Sequence, residues 1–186
     1  MMSATAQPRL EVWLKGNVRH ALGLAALAVA ALAVGAGLVL VSGPPAWVAQ
    51  IAAVAGMGIV AAVSALVWSA SRPRLERRGT HLRLRLAPYA AYDVPLDEVE
   101  CVFLGSQPIG AEDAAVHRLR VGTLVVRFAE RATGCRERPT FVPWGTWQDG
   151  HAIVDGRWCE PLSLEVARGV SARLLEAKRQ VAGTAP

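Results

Sequence analysis

Residues 21–41 read ALGLAALAVAALAVGAGLVLV, residues 42–46 read SGPPA, and residues 47–68 read WVAQIAAVAGMGIVAAVSALVW. No acidic or basic side chain occurs from Ala21 to Val41, or from Pro44 to Ala70. A helix rises 1.5 Å per residue, so about 20 apolar residues cross a hydrocarbon core of about 30 Å. Both runs reach that length. Trp47 and Trp68 stand near the two ends of the second run, where an amphipathic ring suits the membrane–water interface. In the link, Gly43 allows unusual backbone angles, and Pro44 and Pro45 stop a helix. So short a connection makes the two helices antiparallel neighbours. A cleaved signal sequence is the competing reading of the first run. Its apolar stretch exceeds the roughly 7–15 residues of a signal core, and a second span follows almost at once. The expectation is an uncleaved transmembrane hairpin over residues 21–70, with spans of about 21–41 and 46–69.

Charge is concentrated outside these runs. The net charge is +5 and the pI about 9.7, a balance that nucleic-acid binding could explain. Position favours another reading. Arg9, Lys15 and Arg19 precede the first run, while Arg72, Arg74, Arg77 and Arg78 follow the second, and the turn between them carries no base. The positive-inside rule then puts both termini in the cytoplasm, and no nucleic-acid partner is expected. Residues 1–20 are read as a cytoplasmic tail. Arg72, Arg74, Arg77 and Arg78 are also candidate contacts for anionic headgroups, at about 1 kcal/mol for each base near the surface.

Small side chains crowd both spans. Ala49, Ala53 and Gly56 recur on related turns, as do Gly58, Ala62 and Leu66, and Gly35 and Gly37 lie near the end of the first span. Small residues let helix backbones approach closely in lipid. They suit the hairpin itself, a partner's helices or self-association. Neither span contains an ionisable residue, which argues against a proton or ion path within this chain.

Past Pro73 the period changes from helix to strand. Thr80 to Leu86 alternates polar and apolar residues, the mark of a strand with one wet face. Asp93 to Pro95 reads as a turn, and Val99 to Leu104 as a strand. Gly105, Pro108 and Gly110 then predict an exposed loop over Ser106 to Ala114. Leu119 to Phe128 reads as one long strand or two broken near Gly122. A polar link over Arg131 to Arg138 leads to a short strand between Phe141 and Trp147. Asp149-Gly150 and Asp155-Gly156 are hairpin-turn dipeptides bracketing His151 to Val154. The last element is a helix over residues 163–179. Ser163 is its N-cap, Glu165 suits its first turn, and Leu164, Ala167, Val170 and Leu174 form its apolar stripe. Residues 180–186 are read as a flexible tail. The fold class is therefore an N-terminal α-helical hairpin followed by an α+β domain over residues 71–179. That domain is a curved antiparallel sheet or small barrel closed by the terminal helix.

Arg78-Gly79-Thr80-His81-Leu82 leads into one strand, Pro95-Leu96-Asp97-Glu98-Val99-Glu100 into another, and a helix follows from Ser163. In this pattern, residues 73–179 resemble the pleckstrin-homology-like (PH-like) domains of small bacterial membrane proteins with one or two helical hairpins. The stretch from Pro139 to Pro161, dense in tryptophan, departs from that pattern. The resemblance implies a non-enzymatic module for protein or lipid contact, in a multi-pass protein of the bacterial cytoplasmic (inner) membrane.

No phosphate-binding glycine loop, HExxH or GxSxG motif is present. His117 near Glu112 and Asp113, and His151 between Asp149 and Asp155, are the nearest approach to acid–base or metal chemistry, and neither has ligand spacing. Cys101, Cys135 and Cys159 form no CxxC pair and suit a reducing compartment. No catalytic residue, cofactor or metal is therefore expected. Trp13 is read as an interfacial anchor. Trp144, Trp147 and Trp158 either fill a core or form a docking patch, since tryptophan is enriched at binding hot spots. With Ala49, Ala53 and Gly56 they are the candidate partner contacts. The expected function is a membrane-anchored interaction protein, an accessory subunit or assembly factor of a larger complex. The alternative is a module that senses anionic lipid.

Overall fold

The computed structural model describes residues 10–43, 45–108 and 120–183. These fall into two compact units, Asn17–Arg72 and the segments on either side of it.

The first unit is a helical hairpin of α1 (Arg19–Ser42) and α2 (Ala46–Ser71). Both helices are long and apolar enough to cross a membrane, and neither buries its most apolar stretch inside the chain. That separates them from the core helices of a water-soluble domain, whose apolar faces are covered by neighbouring elements.

The second unit begins before the hairpin. Leu10–Leu14 forms strand β1, which pairs antiparallel with β2 (Leu75–Arg78) on the far side of the helices in sequence. The segment expected to be tail is therefore a strand over residues 10–14. Its register shifts between Val12 and Leu14, and this bulge lets Trp13 and Leu14, neighbours in sequence, both be buried. Trp13 is thus a core residue of the sheet and not an interfacial anchor.

The first sheet runs β1-β2-β3-β4, with β3 at His81–Leu84 and β4 at Tyr92–Pro95. Leu82 and Leu84 point to the core, as their alternation predicts. β2 and β3 are joined through Gly79-Thr80, where Gly79 takes φ 60°, the glycine-first geometry of a two-residue hairpin turn. Asp93 to Pro95 pairs with His81 to Arg83 as part of β4, where a turn was expected.

The second sheet runs β5-β6-β8-β7, built from Val99–Pro108, Arg120–Phe128, His151–Asp155 and Gly145–Gln148. Gly105 does not end β5, which runs to Pro108. The pairing continues to Pro108 opposite Arg120, so the expected loop from Ser106 is strand as far as Pro108. β6 is continuous through Gly122. Asp149 and Gly150, at φ 51° and 72°, turn β7 into β8, which Asp149-Gly150 predicts. Asp155-Gly156 does not make a second hairpin. The Asp155 carboxylate accepts from the backbone N–H of Arg157 and caps a short 3-10 turn.

Helix α3 spans Leu164–Ala182. The Ser163 hydroxyl accepts from the Val166 N–H at 3.2 Å. Ala167, Val170, Leu174 and Ala177 are buried, whereas Leu164, counted in the expected stripe, is exposed. The helix runs three residues past the expected end, into the segment read as tail. The Ser171 hydroxyl donates to the Val102 carbonyl at 2.7 Å and ties α3 to β5. One hydrophobic core collects residues from both sheets and α3, among them Leu75, Leu82, Val99, Leu124, Val154 and Leu174.

Candidate functional site

Three places in the molecule gather the candidate residues, and they differ in chemistry.

The first is the groove between α1 and α2. Ala31, Gly35 and Ala36 on α1 face Ala49, Ala52, Ala53 and Gly56 on α2 across an apolar cleft of about 540 Å³. A methyl group built on Gly56 would come 3.5 Å from Leu32 Cδ2, an ordinary contact. The Ala49–Ala53–Gly56 face is therefore turned toward α1. Nothing lies within 4 Å of a methyl built on Gly37 or Gly58. Leu32, Val39 and Leu40 of α1 also border this cleft, so the slot is apolar and open, lined by small residues of both helices and by these three larger ones.

The second place surrounds the points where the chain leaves the sheet unit, Gly16 and Pro73. Arg74 follows Pro73 and has no exposed surface. Its guanidinium lies 3.6 Å from the centre of the Trp144 ring, and Nε donates to the Trp158 carbonyl at 2.9 Å. Nη1 and Nη2 have no hydrogen-bond partner among the described residues. Burial lowers the Arg74 pKa to about 10, against the opposing influence of nearby Cys159. Burial likewise pushes the Cys159 thiol up to about 12, so it remains a protonated hydrophobe. Gly16 bridges to Cys159, and Lys15 and Glu160 exchange two hydrogen bonds.

Of the four bases read as headgroup contacts, Arg74 is thus withdrawn from the surface. The Arg77 side chain donates to the Gly79 carbonyl and to Gln180, and Arg78 pairs with Glu76 at 2.7 Å. Arg72 stacks at 3.7 Å on Trp68, within the helical unit. Of the three tryptophans read as partner contacts, Trp144 and Trp147 are buried and cannot form a docking surface. Trp147 stacks on Phe128 and donates its indole N–H to the Cys135 carbonyl at 2.8 Å. Trp158 is half-buried beside Trp144, with ring centres 6.1 Å apart. Phe141 packs edge-on against Trp144, with ring centres 5.7 Å apart.

The third place is a cleft of about 720 Å³ bordered by Arg127, Arg136, His151, Glu130, Glu137 and Asp149. Both signs of charge line it. His151 Nδ1 lies 2.8 Å from the Asp149 backbone carbonyl, not from a carboxylate, and Asp155 is occupied by Arg157. The pairing of His151 with Asp149 and Asp155 suggested by sequence is therefore not assembled. No group of three or more His, Cys, Asp or Glu that could hold a metal occurs among the described residues. His117, Glu112 and Asp113 lie outside the described residues. Cys135 is buried near Glu98, and burial, then the carboxylate, raises its thiol to about 11. Neither buried cysteine has the lowered pKa of a reactive thiolate.

Compared with protein-family models, with curated proteins and with solved structures, the chain matches none of them.

Proposed function

We propose that this chain is a two-span protein of the bacterial inner membrane and a non-enzymatic accessory subunit or assembly factor of a larger membrane complex. Its sheet unit is read as PH-like and cytoplasmic. Two antiparallel sheets followed by a C-terminal helix support the first of these readings, and the flanking arginines and lysines support the second.

The strand pairing supports an even number of crossings. β1 and β2 are hydrogen-bonded neighbours, which favours a helical segment with both ends on one side of a bilayer. β1 also argues against a removable leader. Cleavage after α1 would strip Trp13 and Leu14 from the core.

The observation that carries the docking role is the open slot floored by Ala49, Ala53 and Gly56. In lipid, helix association comes from close packing and from interhelical hydrogen bonds, because hydrocarbon tails are as apolar as leucine. A slot lined mostly by short side chains gives a third helix room to bring its own side chains in. The lipid-sensor alternative draws less support, since Arg74 is buried and Arg77 and Arg78 are engaged within the sheet unit.

The test is purification of the full chain from native membranes in mild detergents or lipid discs, followed by mass measurement. A stoichiometric membrane partner is expected, and Gly56→Leu, which fills the slot, is expected to lose it. A lone monomer under every mild condition overturns the proposal.

A further inference from the structure

From the hydrogen-bond parity of the second sheet we infer that two copies of this chain pair edge to edge through β5, antiparallel about a two-fold axis at Gly105. The inference stands on the sheet unit alone and is separate from the slot in the helical hairpin.

Which backbone groups β5 leaves open follows from β6. The Phe128 N–H donates to the Gly150 carbonyl at 2.9 Å, on the β8 side of β6. Bonding direction alternates along an antiparallel strand, so Val126 and Leu124 also bond toward β8, while Arg127, Val125 and Thr123 bond toward β5. Their register partners on β5 are Cys101, Phe103 and Gly105. Val102, Leu104 and Ser106 therefore turn their N–H and C=O groups away from the sheet. An independent contact agrees: the Val102 carbonyl accepts from the Ser171 hydroxyl of α3 at 2.7 Å.

Helix α3 thus covers this edge at Val102, and the cover stops there. None of the described residues bonds to the Leu104 N–H or carbonyl, or to the Ser106 N–H. The Ser106 carbonyl accepts from Arg120 Nη2 at 3.0 Å and keeps its second lone pair. Native sheets blunt open edges with charge, proline, a bulge, a short strand or a cover. The other edge of this sheet, β7, is four residues long. β5 is ten residues long, and from Cys101 to Pro108 it carries no charged side chain. Its register shift falls between Val99 and Cys101 and its proline at the last position, on either side of the open stretch. Phe103 is 44% exposed and Leu104 39%, on opposite faces of the strand.

The open stretch is complementary to itself. In an antiparallel pair about Gly105, Leu104 of each copy lies opposite Ser106 of the other. Both residues have their N–H and C=O turned outward, so each pair exchanges both hydrogen bonds. Gly105 meets its own copy with no side chain at the axis. Phe103 lies opposite Gln107 of the second copy and diagonal to its Gly105, within reach of an aromatic ring. A two-fold contact sets each residue against the same surface of the other copy, so a charge near the axis meets its like. The charge-free run of β5 suits that arrangement, and the occupant inferred is a second copy of this chain.

The test traps the register. Two differently tagged full chains, both Cys101→Ser, are co-expressed, one with Phe103→Cys and the other with Gln107→Cys. Cys135 and Cys159 are buried. In the inferred register residues 103 and 107 form a non-hydrogen-bonded pair, whose Cα atoms stand about 4.5 Å apart, within disulfide reach. Mild oxidation of freshly lysed cells should join the two tags several-fold more than in a control pair, Phe103→Cys with Gln148→Cys at the end of β7.

Leu104→Pro in both chains should abolish the cross-link and leave the sheet unit protease-resistant, because proline is tolerated where a strand's N–H faces outward. Leu104→Lys, which keeps that N–H, should also abolish it by setting like charges against each other near the axis. It decides the matter if the proline variant does not fold. Cross-linking no greater than in the control pair overturns the inference. So does a disulfide to a different protein in place of the second tag, or a cross-link at full yield in the folded Leu104→Lys chain.

Discussion

Removing β1 should unfold the sheet unit, although β1 lies on the other side of the helical segment in sequence. Leu14 and Leu75 are register partners, and the Arg74 N–H donates to the Leu14 carbonyl at 2.9 Å. Residues 17–72 can therefore be replaced by a Gly-Ser-Gly link between Gly16 and Pro73, because the joined strands already form a β-hairpin. The resulting protein should be water-soluble and cooperatively folded. The same protein starting at Pro73 lacks Trp13, 3% exposed, and Leu14, fully buried. Truncating a buried tryptophan to alanine costs about 3–5 kcal/mol, and a buried leucine about 2–5 kcal/mol. Together the two sites come to about 5–10 kcal/mol, against a typical domain stability of about 5–15 kcal/mol. Deleting the whole strand also bares the edge of β2 and the Arg74 N–H. Urea unfolding followed by tryptophan fluorescence would measure both proteins. A cooperative transition for the fragment starting at Pro73, within about 1 kcal/mol of the linked protein, would refute the claim that β1 belongs to this core.

Other consequences are smaller in scale. Arg74→Met in the linked protein should leave stability unchanged or raise it, because a buried cation with two unbonded nitrogens carries a desolvation cost that stacking on Trp144 only partly offsets; a loss of more than about 3 kcal/mol in urea titration would show the charge to be structurally required. Thiol labelling under native conditions should modify Cys101 alone, with Cys135 and Cys159 reacting only after denaturation, as mass spectrometry of the labelled protein would show. The Arg83 guanidinium donates to both oxygens of Asp93 and holds its carboxyl below the ordinary range. Its contribution is present above the unfolded carboxyl pKa and is lost as pH falls through the lowered native value. Asp93→Asn should therefore flatten the acid limb of a stability–pH curve, while costing no more than about 1 kcal/mol at neutral pH for so exposed a pair.

Much of this architecture is readable from local pattern alone. The hairpin follows from two uncharged runs and a Gly-Pro-Pro link. The Asp149-Gly150 turn and the Ser163 cap depend on residues close in sequence and appear as expected, while the Thr80–Leu86 alternation holds as a strand over His81–Leu84, with Arg85 buried rather than on a wet face. The errors fall where distant parts of the chain decide. Gly105 and Pro108 look like strand breakers, yet the ladder with β6 carries β5 through Gly105 as far as Pro108, a proline tolerated because β5 is an edge strand of its sheet. Arg74 has the composition of a headgroup contact, but only the fold brings Trp144, seventy positions later, to stack on it. The same folding step buries Trp147, against Phe128.

The deepest misreading concerns Leu10-Glu11-Val12-Trp13-Leu14, which carries a strand signal of its own. β-branched, aromatic and aliphatic residues with one acid among them fit a half-buried strand. A charged flank before an apolar helix has a ready topological meaning that competes with this signal. A strand of five residues is also meaningless until a partner is found, and its partner, β2, lies beyond both helices. Closing a loop of that length would be entropically costly for a flexible chain. A helical hairpin removes much of that cost, since its two ends are adjacent once the helices are antiparallel. The pairing of β1 with β2 and a helical hairpin between them in sequence are thus mutually consistent. On that reasoning, inserting a third apolar helix after α2 should do more than reverse topology. It would carry β2 to the opposite side of the bilayer from β1, leaving Trp13 and Leu14 without their core and the sheet unit unfolded, measurable as loss of protease resistance in intact membranes. A sheet unit that stayed protease-resistant after such an insertion would mean that the helical segment does not cross the bilayer twice.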